Sequence, residues 1–159
     1  MDEPLIINTG PLIALARMGC LDEIGRLPYR FVCPREVRLE LDSGAAVGHP
    51  PIVPPWLAVK PLSAPPTPFG VIELGPGETA VIQLALELEA RVVAIDEVRG
   101  RRMAAVLGLQ VTGSLGLAAR ARRVGLLPEL RPFLDRAARQ GVWYHEAIVA
   151  EILRDLGEE

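Results

Sequence analysis

Apolar residues along this chain fall into short unbroken runs separated by longer stretches of helical period. The segments "PLIIN" (4–8), "RFVC" (30–33), "RVVAID" (91–96) and "LQVT" (109–112) read as buried strands. Apolar positions recurring every three to four residues predict helices over 11–18, 20–27, 34–42, 76–90, 97–107, 114–125, 128–140 and 144–156. Strands alternating with helices are the signature of βαβ units, so the expected fold class is α/β with a parallel sheet. From Ser43 to Leu74 the period lapses. That stretch, "SGAAVGHPPIVPPWLAVKPLSAPPTPFG" and the residues after it, is rich in Pro and Gly and is expected to be a surface excursion with at most one short strand, "WLAVK". In the last segment, Ile148, Ile152 and Leu156 share one helical face and are expected to pack on the core.

Polar residues at the ends of these elements are the candidates for chemistry, because parallel sheets bind ligands beyond the carboxyl ends of their strands. Asn8 follows "LII" and precedes a helix with Pro11 in its first turn, so it reads as a helix cap or a site residue. Asp96 closes "VVAI" and has the same two readings, a site carboxylate or the cap of the helix that begins at 97. Glu78, in "LGPGETAVIQLALELEA", lies in a first helical turn where the macrodipole favours an acid, while Gly75 and Gly77 allow close approach of the backbone. Glu40 sits late in the helix of "CPREVRLEL", at the unfavourable end of the dipole and four residues after Glu36, so either a function or a solvated surface holds it there. Carboxylates gathered at one sheet edge repel unless a cation binds. Oxygen donors favour Mg²⁺ or Mn²⁺, and such ions suit hydrolysis of a phosphodiester.

Composition narrows the partners. With 159 residues, 50% hydrophobic and 23% charged, the chain has the material for one sizeable core, and residues 1–159 are expected to form a single domain. Net charge is −3, but residues 1–90 carry 6 basic and 11 acidic side chains whereas residues 91–139 carry 10 and 4. Arg99, Arg101, Arg102, Arg120, Arg122 and Arg123 lie in that basic half and are the candidate phosphate contacts, with a solvated, ion-paired helix face as the alternative. No apolar run reaches the roughly 20 residues that span a bilayer, and the basic start of a signal peptide is missing, so a cytoplasmic location without membrane contact is expected. Cys20 and Cys33 read as free buried thiols, and the separated His49 and His145 are not metal ligands by spacing. The chain has no Gly-rich phosphate loop, nucleophile elbow or zinc spacing.

The ordered segments "INTGPLIALARMG", "CPREVRLEL", "LGPGETAVIQLALE", "VVAIDEVRGRRMA" and "LGLQVTGSLGLAARARRVGLL" resemble the PIN-domain superfamily, and within it a PIN-like family related to VapC toxins of toxin–antitoxin pairs. The resemblance implies a PIN-like three-layer fold, a parallel sheet flanked by helices. It also implies a Mg²⁺- or Mn²⁺-dependent ribonuclease in which Glu40, Glu78 and Asp96 are catalytic. Asn8, Glu40, Glu78 and Asp96 would bind the metal, with Thr9 and Glu97 as auxiliary residues. RNA, an antitoxin protein and a second copy of the chain are the possible partners. Active PIN nucleases usually have Asp where this chain has Asn8, so one negative charge is missing from the site. A non-catalytic RNA- or partner-binding module is therefore the alternative function. A receiver-like or phosphatase domain, suggested by Asp96 at a strand end, lacks the acidic pair expected after "LII".

Overall fold

The computed structural model describes residues 2–69 and 73–158. Five strands, β1 (Glu3–Ile7), β2 (Tyr29–Pro34), β3 (Ala58–Lys60), β4 (Val92–Ala94) and β5 (Gln110–Thr112), pair in parallel in the order β3-β2-β1-β4-β5. Leu5 lies opposite Phe31 and Val92, and Ile6 opposite Val32 and Val93. All are buried, which explains why the central strands read as continuous apolar runs: a parallel sheet covered on both faces has no solvent side to alternate toward. The outer strand β3 is exposed along its length and contributes only three residues of "WLAVK".

Eight helices complete the order: α1 (Thr9–Met18), α2 (Leu21–Ile24), α3 (Arg35–Ala46), α4 (Pro76–Glu87), α5 (Val98–Val106), α6 (Ser114–Arg123), α7 (Arg131–Arg139) and α8 (Glu146–Asp155). Helix α1 packs on α2, α6 and α7, whereas α4 packs on β1, β2, β4 and α5, and α3 touches both α1 and α4. These are the two helical layers around the sheet, and the expected three-layer α/β fold is the one observed. Strand order reverses direction between β1 and β4. In sheets of this kind that switch point opens a crevice at the carboxyl ends of the two strands.

Several element boundaries differ from expectation, for local reasons. Helix α3 continues to Ala46, four residues past the expected end, because no proline interrupts the chain before Pro50. Helix α4 stops at Glu87 rather than at residue 90, since Glu89 adopts a left-handed φ of 54° that cannot continue a right-handed helix. The second helix spans one turn only. The excursion after α3 includes residues 70–72, which lie outside the described residues.

In α8, Leu153 is the buried residue while Ile152 and Leu156 are half-buried and Ile148 is 52% exposed, so the packed face is rotated from the one expected. The C-terminal end is clasped by Glu158. Its carboxylate accepts hydrogen bonds from the backbone N–H groups of Leu130 (2.8 Å) and Arg131 (3.1 Å) and from Arg122 Nε (3.0 Å). Burial alone would raise this carboxyl, but the two backbone donors and the guanidinium outweigh it and hold it below the usual range. A depressed folded-state value contributes stability above the unfolded Glu pKa and loses it as pH falls. Glu158→Gln should therefore cost about 1 kcal/mol at neutral pH, and the difference in melting temperature should close below about pH 4.

Cys20 and Cys33 are buried and free, as expected. Burial pushes their thiols up to about 12 and about 11, which leaves both unreactive near neutral pH. Among the described residues no helix is long and apolar enough to cross a membrane.

Candidate active site

Asn8 leaves β1 at the switch point, where its backbone N–H donates to the Ala94 carbonyl of β4 at 3.0 Å. It occupies the N-cap position of α1, yet its side chain makes no capping hydrogen bond. The residue is 5% exposed, and Oδ1 is buried with no hydrogen-bond partner. An unpaired buried carbonyl costs roughly 1–3 kcal/mol, so a cap is not what keeps asparagine here. Nearby, the Thr9 hydroxyl donates to Glu40 Oε2 at 2.6 Å and draws the α3 carboxylate toward the end of β1.

Helix α4 supplies the third side of this group. A Cβ placed on Gly77 would lie 2.7 Å from Glu40 Oε1 and 3.0 Å from Asn8 Oδ1, so the absence of a side chain at residue 77 makes the room in which these oxygens meet. Glu78 follows directly in the first turn of α4, its Cγ against Gly100 of α5 and its carboxylate turned back over Gly75. The sequence points to close backbone approach at Gly75 and Gly77, but not to what approaches. The part of Gly77 lies in what faces it, which no local pattern records.

Asp96 follows β4, on the other side of the crevice. It does not cap α5; Glu97 does, accepting from the Gly100 N–H at 2.9 Å. That bond, with a further one from the Arg99 N–H, holds the Glu97 carboxyl below its usual range. Asp96 is instead held by α6: Oδ1 accepts from the Ser114 N–H at 2.8 Å and Oδ2 from the Ser114 hydroxyl at 2.7 Å. The Ser114 oxygen is in turn 2.5 Å from the Tyr144 hydroxyl. Burial pushes the Tyr144 hydroxyl well above its usual range, so it stays protonated. Gly113 admits this arrangement, because a Cβ there would collide with Asp96 Oδ1. Ser114 and Tyr144 were absent from the sequence-based candidates. Ser114 stands at the carboxyl end of β5, so the strand-end rule that singled out Asp96 would have found it; nothing near Tyr144 in sequence marks it.

The six arginines do not share one face. Arg101 turns inward, and its Nη1 donates to the carbonyls of Ile95 (2.7 Å) and Thr112 (3.1 Å), bracing the ends of β4 and β5. Arg122 is committed to Glu158 and to the Leu156 carbonyl. Arg99 and Arg102 are exposed on α5 and make no ion pair among the described residues. Arg120 lies over the Tyr29 ring at 5.2 Å and borders a shallow groove together with Arg123.

In donor chemistry the crevice suits a hard divalent cation, since every candidate ligand is an oxygen and one of them, Asn8 Oδ1, is buried and unpaired beside a carboxylate. Among the described residues, however, no three His, Cys, Asp or Glu side chains come together as a group that could hold a metal ion. The oxygen-rich seat is thus Asn8 with Glu40, flanked by Glu78, while Asp96 is tied to Ser114.

Fold and site together define a three-layer parallel α/β protein with polar residues gathered at its switch point. A family model described as a PIN domain matches residues 4–158. The chain belongs to the PIN domain family, a superfamily made up generally of nucleases that depend on divalent metals. No curated protein sequence matches the chain. Among solved structures it is similar to a PilT N-terminus domain protein from the hyperthermophilic archaeon Sulfolobus solfataricus P2. That match has 19% identity and a TM-score of 0.47, and it covers 74% of this chain and 92% of the other.

Proposed function

We propose that this protein is a Mg²⁺- or Mn²⁺-dependent ribonuclease of the cytoplasm, the toxin half of a toxin–antitoxin pair. The observation that carries the reading is the buried, unpaired Asn8 Oδ1 beside the Glu40 carboxylate at the sheet's switch point, an atom left without a partner in the place where such folds bind ligands. Asn8 and Glu40, with Glu78 beside them, would hold the ion, Asn8 as the neutral member, and Asp96 would join them through the lone pairs that its bonds to Ser114 leave free. When bound, the metal supplies a Lewis acid that acidifies water and offsets charge on the phosphodiester. Glu40, with Oε2 restrained by Thr9, keeps Oε1 to accept a proton from the attacking water. Ser114 and Tyr144 fix the orientation of Asp96, and Thr9 does the same for Glu40. Glu97 serves α5 as its cap.

The test is cleavage of an end-labelled RNA with and without Mn²⁺, paired with thermal denaturation. Wild type should cut and gain melting temperature with Mn²⁺, and Asp96→Asn should lose both effects. A second reading, a PIN domain that binds RNA without cutting it, is favoured by the engagement of both Asp96 oxygens with Ser114 and by the missing charge at Asn8. RNA binding without metal-dependent cleavage would establish it. Salt dependence of RNA binding sorts the arginines. Arg102→Ala should make the log–log slope shallower by about 0.7, the loss of one phosphate contact, whereas Arg122→Ala should leave the slope unchanged and lower the melting temperature. Equal slopes in wild type and Arg102→Ala would remove that face of α5 from RNA binding.

A further inference from the structure

A cavity of about 190 Å³ opens beside the Asn8–Glu40 seat, between α1, α3 and the segment that follows α3. Glu40 forms part of its wall and also of the proposed metal seat, so the two are neighbours. We propose that this cavity is a nucleobase subsite: it receives the base of the RNA nucleotide next to the phosphodiester held at Asn8 and Glu40. The proposal rests on the ribonuclease reading and names where that enzyme would read its substrate.

Two kinds of lining meet here, as a heteroaromatic base requires. Ile13 and Leu41 present apolar surface from α1 and α3, and Pro50 and Pro51 face them with two consecutive rings. A base offers a π-face to such walls whatever its identity, and the proline pair keeps its wall rigid. The His49 N–H donates to the Gly44 carbonyl at 3.0 Å, which ties this wall to the end of α3 and prepares the cavity before any ligand enters.

Polar groups mark the rim, where the edge of a base and its phosphate would lie. Arg17 makes no ion pair among the described residues and supplies a guanidinium for phosphate or for a base carbonyl. Gln140 donates through Nε2 to the Arg17 carbonyl at 3.3 Å, which leaves its Oε1 as an acceptor for base N–H groups. A guanidinium with an amide acceptor beside it complements a nucleotide, whose phosphate is anionic and whose base edge carries donors.

The test uses the full chain with labelled isoleucine methyl groups, because Ile13 and Ile52 both line the cavity. The four ribonucleoside 5′-monophosphates are titrated in EDTA, with inorganic phosphate as control, and binding and cleavage of an RNA pentamer are followed separately. At least one mononucleotide should shift both methyl resonances saturably where phosphate alone does not. Replacing the half-buried Arg17 at the rim, Arg17→Ala, should weaken this binding by about fivefold with the fold retained. If the pentamer binds or is cut while the Ile13 and Ile52 signals stay still, the subsite is overturned and the ribonuclease reading stands. If mononucleotides bind at the two isoleucines but Mn²⁺ never supports cleavage, the subsite stands and the enzyme reading falls. If neither probe binds, both are overturned.

Discussion

Gly77→Ala is expected to reduce Mn²⁺-dependent RNA cleavage by about a hundredfold while leaving the protein folded, because displacing a positioned group by about 1 Å commonly has that effect. The added methyl would sit 2.7 Å from Glu40 Oε1, closer than real Cβ contacts allow, and 3.0 Å from Asn8 Oδ1, a contact tighter than most. Glu40 is exposed and ends a flexible side chain, so it can swing away at little cost in stability. Alanine also favours a helix over glycine by roughly 1 kcal/mol, which offsets the local clash. Function and stability should therefore separate. Cleavage rate and melting temperature measured on the same preparations check this, and unchanged cleavage would mean that Asn8 and Glu40 need not meet for the chemistry.

The opposite design, adding charge rather than bulk, is Asn8→Asp. Without metal it puts a second carboxylate, buried and lacking a donor, beside Glu40, and should destabilise the fold by about 1–3 kcal/mol, a fall of roughly 5 °C in melting temperature for a chain of this length. The repulsion needs the new group ionised, so the loss should be full at neutral pH and should fade as pH falls into the carboxylate range. Mn²⁺ should restore the lost stability and raise it above that of the wild type, because a cation bound only by the native state stabilises it by mass action. Cleavage should rise with the tighter metal binding. Had Asn8 been a cap, Asp would serve equally well and neither effect would appear, but the structure gives its side chain no capping bond. Metal-free and metal-bound melting curves that match those of the wild type would remove Asn8 from the ligand set.

The candidate site was legible where a single residue announced itself at the end of an element. Asn8 and Asp96 follow β1 and β4, and Glu78 falls in the first turn of α4, all as the apolar pattern placed them. Glu40 stands out because a late-helix acid four residues after another acid lacks a helical reason, and the structure gives its carboxylate the Thr9 hydroxyl at 2.6 Å. The arginines were harder, since charge count alone says nothing of direction. Arg99 and Arg102 face solvent, whereas Arg101, on the same short helix, braces two strand ends, and Arg122 clasps the C-terminal segment.

Periodicity is a local property, so the sequence by itself determined the βαβ succession, the burial of the central strands and the polar character of their carboxyl ends. It also determined that no cysteine or histidine pair was spaced for a zinc site. What only the tertiary structure decided is which of those polar groups meet: Glu40 with Asn8 across Gly77, Asp96 with Ser114 and Tyr144, Arg122 with Glu158. Each of these contacts joins residues 18 or more positions apart. Their distances are set by strand order and helix packing. A side chain reads its neighbours at i+3 and i+4 from the helix it occupies, but its partners across the sheet only from the order in which the strands come together.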